Sequence, residues 1–243
     1  MQQYAKTTEK TNDMAPEWGP EDVNLYKAFI LELAEAYAQT DTIFQQCGLG
    51  GKVSSETSFY KPIRRLDAVR NIAFFESTSA FVMPKKYPNS AKAMFDAIRQ
   101  IHDDHACRKL YEKVENAANT IAVKFGTVNH CEGENVVPLS LIAVQQRFEE
   151  SDRTVLVWRC LIEGEGDFAD MCLDETGWCV LRSTPVDSTD IRTCIRSTPI
   201  HRCVEKTIDS KERDEEFANA VVRSSQQDSM KLAQLMDQFL LHT

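Results

Sequence analysis

Between residues 137 and 204 four segments follow one another, VVPLSLIAVQQRF, RTVLVWRCLIE, TGWCVLRS and DIRTCIRST, each apolar or alternating and each cut off by turn-forming residues. β-Branched and aromatic residues packed into pieces of strand length predict a run of consecutive antiparallel strands. From Arg153 to Glu163 one alternate set is Leu156, Trp158, Cys160 and Ile162. The other holds Arg153, Val155, Val157, Arg159 and Glu163, so one face is apolar and the other is polar at its ends. Trp178 and Val180 alternate with Cys179 and Leu181 in the next segment, and Ile191, Thr193 and Ile195 alternate with Arg192, Cys194 and Arg196 beyond it. Such a sheet needs a cover for its apolar face.

The stretch from Lys211 to Leu241 supplies one. Phe217, Val221, Val222, Ser225, Leu232, Leu235, Met236, Phe239 and Leu240 recur at helical spacing, with no Pro or Gly among them. At ~1.5 Å per residue this helix is long enough to cross a whole sheet. Its middle turn, Ser224 to Asp228, is polar. That turn is either a solvated waist or a place where the helix passes over a hollow.

Upstream, Val23, Tyr26, Ile30, Leu33, Tyr37 and Phe44 predict one helix ending near Cys47, with Gly48 as its left-handed cap. The Gly-, Ser- and Thr-containing stretch 48–62 reads as a loop, and 69–83 as the first strands, with Phe75, Ser77, Ser79 and Phe81 alternating. Pro84 and Pro88 end them, and Asn89 or Ser90 caps a second helix that buries Met94, Ile98 and Ile101. TIAVKFGTVN, at 120–129, is a further strand. The polar residues 1–20, with Pro16 and Pro20, read as a disordered tail, and 21–243 as a single domain. Helix, strands, helix, strands and a long final helix specify an α+β meander wrapped around that helix.

A net charge of −9 argues against a nucleic-acid surface, which needs clustered Lys and Arg. The N-terminal residues have no apolar core of a signal peptide, and no run approaches the roughly twenty apolar residues of a membrane span. The expected location is therefore the cytoplasm, with the nucleus also open. The eight cysteines are read as free thiols, Cys160, Cys179 and Cys194 serving as small apolar fillers within strands.

His102, His105 and Cys107 have the residue types of a metal site, but Cys107 lies far around the helix from His105, so no metal is expected. His130 and Cys131 are adjacent, which in a strand sends them to opposite faces and denies them the geometry of a base and nucleophile. His201 and Cys203 lack a third group nearby in sequence. ArgSerThrPro occurs at 182–185 and 196–199 and reads as two strands leaving the sheet at similar exits, each stopped by Pro. Its functional alternative places Arg182 and Arg196 at a polar end of the interior, holding a ligand carboxylate or phosphate. Trp158 and Trp178 are either core residues or the walls of an apolar cavity.

The order of elements resembles the helix-grip fold of START-like lipid-transfer domains, in which a curved antiparallel sheet grips a long C-terminal helix around an apolar tunnel. AYAQTDTIFQQCGL at 36–49, TVLVWRCL at 154–161 and DETGWCVLR at 174–182 resemble, more narrowly, the START-like proteins of the oomycete mating-specific family. The resemblance implies an interior that binds a lipid or other apolar small molecule, for transfer or sensing, with transient membrane contact as a possible accompaniment and no cofactor. The lining expected from the sheet is Phe75, Leu156, Trp158, Trp178, Val180, Arg182 and Ile195, closed by Val221, Ser225 and Leu232 of the terminal helix. The alternative is an interaction or regulatory module with the same fold and a collapsed interior. A helix-grip enzyme is a third reading, but no carboxylate cluster, phosphate loop or metal quartet supports it, and a non-enzymatic protein is expected.

Overall fold

A computed structural model of the chain describes residues 17–51, 62–103, 107–130, 136–202 and 210–241, apart from the side chains of 128–130, 136, 210 and 224–227. Its elements are α1 (Pro20–Ala38), α2 (Thr40–Gln46), β1 (Ile63–Asp67), β2 (Ile72–Met83), α3 (Tyr87–Asp103), β3 (Arg108–Leu110), β4 (Thr120–His130), β5 (Val136–Glu149), β6 (Arg153–Gly164), β7 (Met171–Ser183), β8 (Thr189–His201) and α4 (Ser210–Leu241). The strands form one sheet in the order β1-β2-β8-β7-β6-β5-β4-β3, with every neighbour antiparallel. This is the helix-grip α+β architecture, a meander closed against a terminal helix of about 48 Å.

The sheet is buried on both faces. Its inner face, carrying Leu139, Leu156, Cys160, Ile162, Leu173 and Leu181, packs against α3 and α4 through Phe95, Phe217, Val221 and Met236. Its outer face, carrying Val144, Val155, Val157, Trp178, Val180 and Cys194, packs against Tyr26, Phe29, Leu33, Ile43 and Phe44 of α1 and α2. Ion pairs ring the outer layer: Lys124 with Asp22 at 2.7 Å and Arg159 with Glu32 at 2.7 Å. Glu76, 5 % exposed, sits between Arg65 and Arg196.

Several expected boundaries shift for local reasons. The single N-terminal helix is two helices that turn at Gln39, whose backbone N–H still reaches Glu35 and Ala36. Gly48 does take the left-handed conformation after α2, with φ of 81°. Helix α3 starts at Tyr87, because Pro88 is tolerated in a first turn where no intrahelical N–H is missed. Pro199 does not stop β8, which runs on to His201 with Pro199 opposite Leu173. Residues 1–16 of the expected tail lie outside the described residues; Trp18 donates from Nε1 to the Lys109 carbonyl at 2.9 Å and packs on Tyr111. No helix among the described residues is long and apolar enough to cross a membrane.

Candidate functional site

Strand pairing decides which side chains meet. Trp158 stands opposite Gly177, and Gly177 opposite Ile195, so these three positions share the inner face with Ser77. Two residues along, Glu175, Ser197 and Phe75 are likewise in line on that face. The inner face of β2, β7 and β8 is therefore locally polar: Ser77 and Ser197 occupy places where bulkier apolar residues stand elsewhere, and the place above Gly177 is filled by the Trp158 indole. Helix α4 crosses above them with Ala218, Val221 and Val222, and the mismatch leaves a cavity of about 20 Å³. Phe75, Ser77, Leu173, Glu175, Ile195 and Ser197 form its sheet side, and Pro62, just ahead of β1, completes the wall. That volume holds roughly one water molecule.

Glu175 is the chemically distinctive member. Trp158 Nε1 donates to its Oε1 at 3.0 Å, and Ser197 Oγ donates to its Oε2 at 3.0 Å. Burial pushes its carboxyl upward from the ordinary value, and the two donors act against that rise. The Arg159 guanidinium reaches the backbone carbonyl of Glu175 and the Asp174 carboxylate on the other side of the strand, leaving the Glu175 carboxylate to its neutral donors. Among the described residues that carboxylate enters no ion pair.

Farther along α4 a different arrangement closes the interior. Arg108, on β3, donates to both carboxylate oxygens of Asp228 at 2.8 Å, meets His102 Nδ1 at 2.9 Å, and stacks 4.2 Å above the Phe125 ring. Asp228, in the polar turn of the helix, is thus one of the points at which α4 is tied to the sheet. His105 lies outside the described residues, and among those described no three His, Cys, Asp or Glu converge as for a metal. Towards the other end, His201 Nε2 lies 2.7 Å from Asp214 Oδ1, and Arg213 pairs with Asp170. Asp214, on α4, is the neighbour that sequence proximity to His201 had concealed; Cys203, like Cys131, lies outside the described residues.

Of the ten residues expected to line a cavity, Phe75, Ile195 and Val221 line this one, and Trp158 borders it through Glu175. Leu156 and Leu232 are on the inner side but pack with α3, beside Met236 and Phe95. Trp178 and Val180 correct the expectation: they lie on the outer face beneath α1, where Trp178 Nε1 donates to the Ala36 carbonyl at 2.8 Å. The register Val157 to Trp178 requires this, since Val157 faces α1. Arg182 is also on the outer face, 3.6 Å from Asp41, and Arg196 is held there by Glu76 and Gln46, so neither makes a polar end to the interior. Ser225 lies in α4, with its side chain outside the described residues. Glu175 is missed because the sequence pattern starts this strand at Thr176, in TGWCVLRS. The signal that could have found it is its placement two residues before Gly177, on the same face of a strand that begins at Met171.

No protein-family model matches the chain, and no curated protein matches it. Solved structures do resemble it. Human StAR-related lipid transfer protein 5 is 8% identical, with 85% of this chain and 98% of that one covered and a TM-score of 0.40. Human STARD10 is 8% identical over 79% of this chain and 78% of that one, with a TM-score of 0.41. The Zhui aromatase/cyclase from Streptomyces sp. R1128 is 8% identical over 68% and 93%, also with a TM-score of 0.41.

Proposed function

We propose that the chain binds a lipid or other apolar small molecule between α4 and the inner face of its sheet. The observation that supports this reading is the cavity itself, which lies where α4 crosses Ser77 and Ser197 of that face and is walled mainly by Phe75, Leu173, Ile195, Ala218, Val221 and Val222. A site for a lipid needs several hundred Å³. Binding therefore requires α4 to move away from β2 and β8, and the cavity marks where that separation costs the fewest contacts. The same small volume favours a second reading, in which the closed interior is the working state and the protein acts on a partner through its surface.

Native mass spectrometry of the full chain purified from a eukaryotic host separates the two. A co-purifying apolar molecule, lost in Ala218→Trp while the fold persists, is the result expected. Empty protein that also fails to take up a fluorescent acyl probe overturns the reading in favour of the interaction module.

A further inference from the structure

A carboxylate facing an apolar cavity is an expensive thing for a fold to keep. Removing an ionised group from water costs several kcal/mol unless a counter-charge or a full set of donors replaces the solvent. Glu175 has two neutral donors, Trp158 Nε1 and Ser197 Oγ, one on each oxygen. Each carboxylate oxygen accepts two hydrogen bonds, so about half the capacity is unused. Two carboxylates in this protein that are less exposed than Glu175 have arginines beside them: Glu76 has Arg65 and Arg196, and Asp214 has Arg64. Glu175 differs from both, and it faces the cavity.

We propose that Glu175 is the anchor for the polar end of the bound molecule and that this end is a protonated amine. The inference rests on the reading that an apolar ligand enters beneath α4. Charge and hydrogen bonding together select the group. The Glu175 carboxylate repels a phosphate, and a trimethylammonium brings no N–H to its open acceptor positions. The ammonium alone brings the missing counter-charge, and its N–H groups fill the acceptor positions that Trp158 and Ser197 leave open. Burial holds the Glu175 carboxyl above its ordinary value in the empty site, and a cation there draws it back down. The apolar chain of the ligand then lies along Ile195, Val221 and Val222. A fatty acid is disfavoured, since two carboxylates at one buried point cannot both remain ionised.

The test is titration of the full chain with octylamine, octanol and octanoate, read by isothermal calorimetry at neutral pH in about 0.2 M salt, which screens the exposed acidic surface. Wild type is expected to bind octylamine at least about tenfold more tightly than octanoate, with octanol between them. Glu175→Gln, which keeps the shape and the acceptor for Trp158, is expected to lose most of that margin while its melting temperature is unchanged or higher. Ser197→Ala serves as a second variant that weakens the site without removing the charge, and its preference for the amine should survive. Octanoate binding as tightly as octylamine, or an unchanged margin in Glu175→Gln, overturns the amine assignment and leaves the apolar-ligand reading standing. Failure of all three compounds to bind overturns both.

Discussion

The indole of Trp158 lies directly over Gly177. A Cβ built on Gly177 falls 2.0 Å from both Cε2 and Cζ2 of that ring, well inside van der Waals contact. The glycine is therefore a seat for the ring, and the ring in this position delivers Nε1 to Glu175. Gly177→Ala should force the indole off its seat and destabilise the protein by ~1–3 kcal/mol, as overpacking of a filled core does. Urea denaturation measures the loss, and a stability equal to wild type would show that the ring relocates freely.

The two sheet tryptophans should behave differently when their N–H is removed. Trp178→Phe deletes the buried donor to the Ala36 carbonyl, which keeps the Gln39 N–H, and should cost about 0.5–1.5 kcal/mol for the lost hydrogen bond. Ligand uptake should be untouched, since Trp178 is on the α1 side. Trp158→Phe should alter uptake, because it removes one of the two donors to Glu175. Equal effects of the two variants on uptake would contradict the facial assignment.

Glu175 also predicts a dependence of stability on pH. Its folded-state carboxyl is raised by burial, so the folded chain binds this proton more tightly than the unfolded chain does. Stability from this source is fully present below the unfolded value and is lost as pH rises through the folded one. Glu175→Gln should therefore gain stability relative to wild type as pH rises above the ordinary carboxyl value, with the difference growing upward until the raised folded-state carboxyl has ionised. Thermal melts of both proteins across that range check the sign. A gap that widens towards acid would be the wrong one.

Cys47, at the end of α2, is predicted to be the fast thiol. A hydrogen bond with Cys194 and another from the Leu49 backbone bring it down to about 7 against the opposing effect of burial. Iodoacetamide at neutral pH should modify it ahead of Cys160 and Cys179, both pushed up by burial, the latter to about 11. Cys194→Ala should slow the reaction at Cys47 roughly five- to tenfold by returning it towards an ordinary thiol. Peptide mapping after timed alkylation reads both effects.

Element order was legible because long alternating strands separated by turns leave few arrangements, and β4 to β8 fall where their β-branched residues indicate. The alternation of Phe75, Ser77, Ser79 and Phe81 was also legible, and the pairing of β2 with β8 puts all four on one face. Facing was illegible in β7. There Trp178 and Val180 on one side and Cys179 and Leu181 on the other are all buried, so hydrophobicity cannot rank them, and a one-residue choice exchanges the faces. The missing information was that α1 covers the outer face, a tertiary fact. Glu175 was illegible for a related reason: a carboxylate in an interior announces itself only through the neighbours that pairing brings, here Trp158 and Ser197. Arg108 and Asp228, 120 residues apart, are a further example.

The lengths of the strands have one more consequence. The six interior strands run from 11 to 14 residues, whereas the borders are β1 with five and β3 with three. Ile63 and Leu66 are exposed on β1, but Arg64 and Arg65 stand between them and are engaged by Asp214 and Glu76. An extended segment from another chain would find only a few backbone positions to match on either border, and charged side chains beside the longer one. Among the described residues, β1 and β3 themselves therefore offer little to templated growth by strand addition, the route by which open sheets seed fibrils.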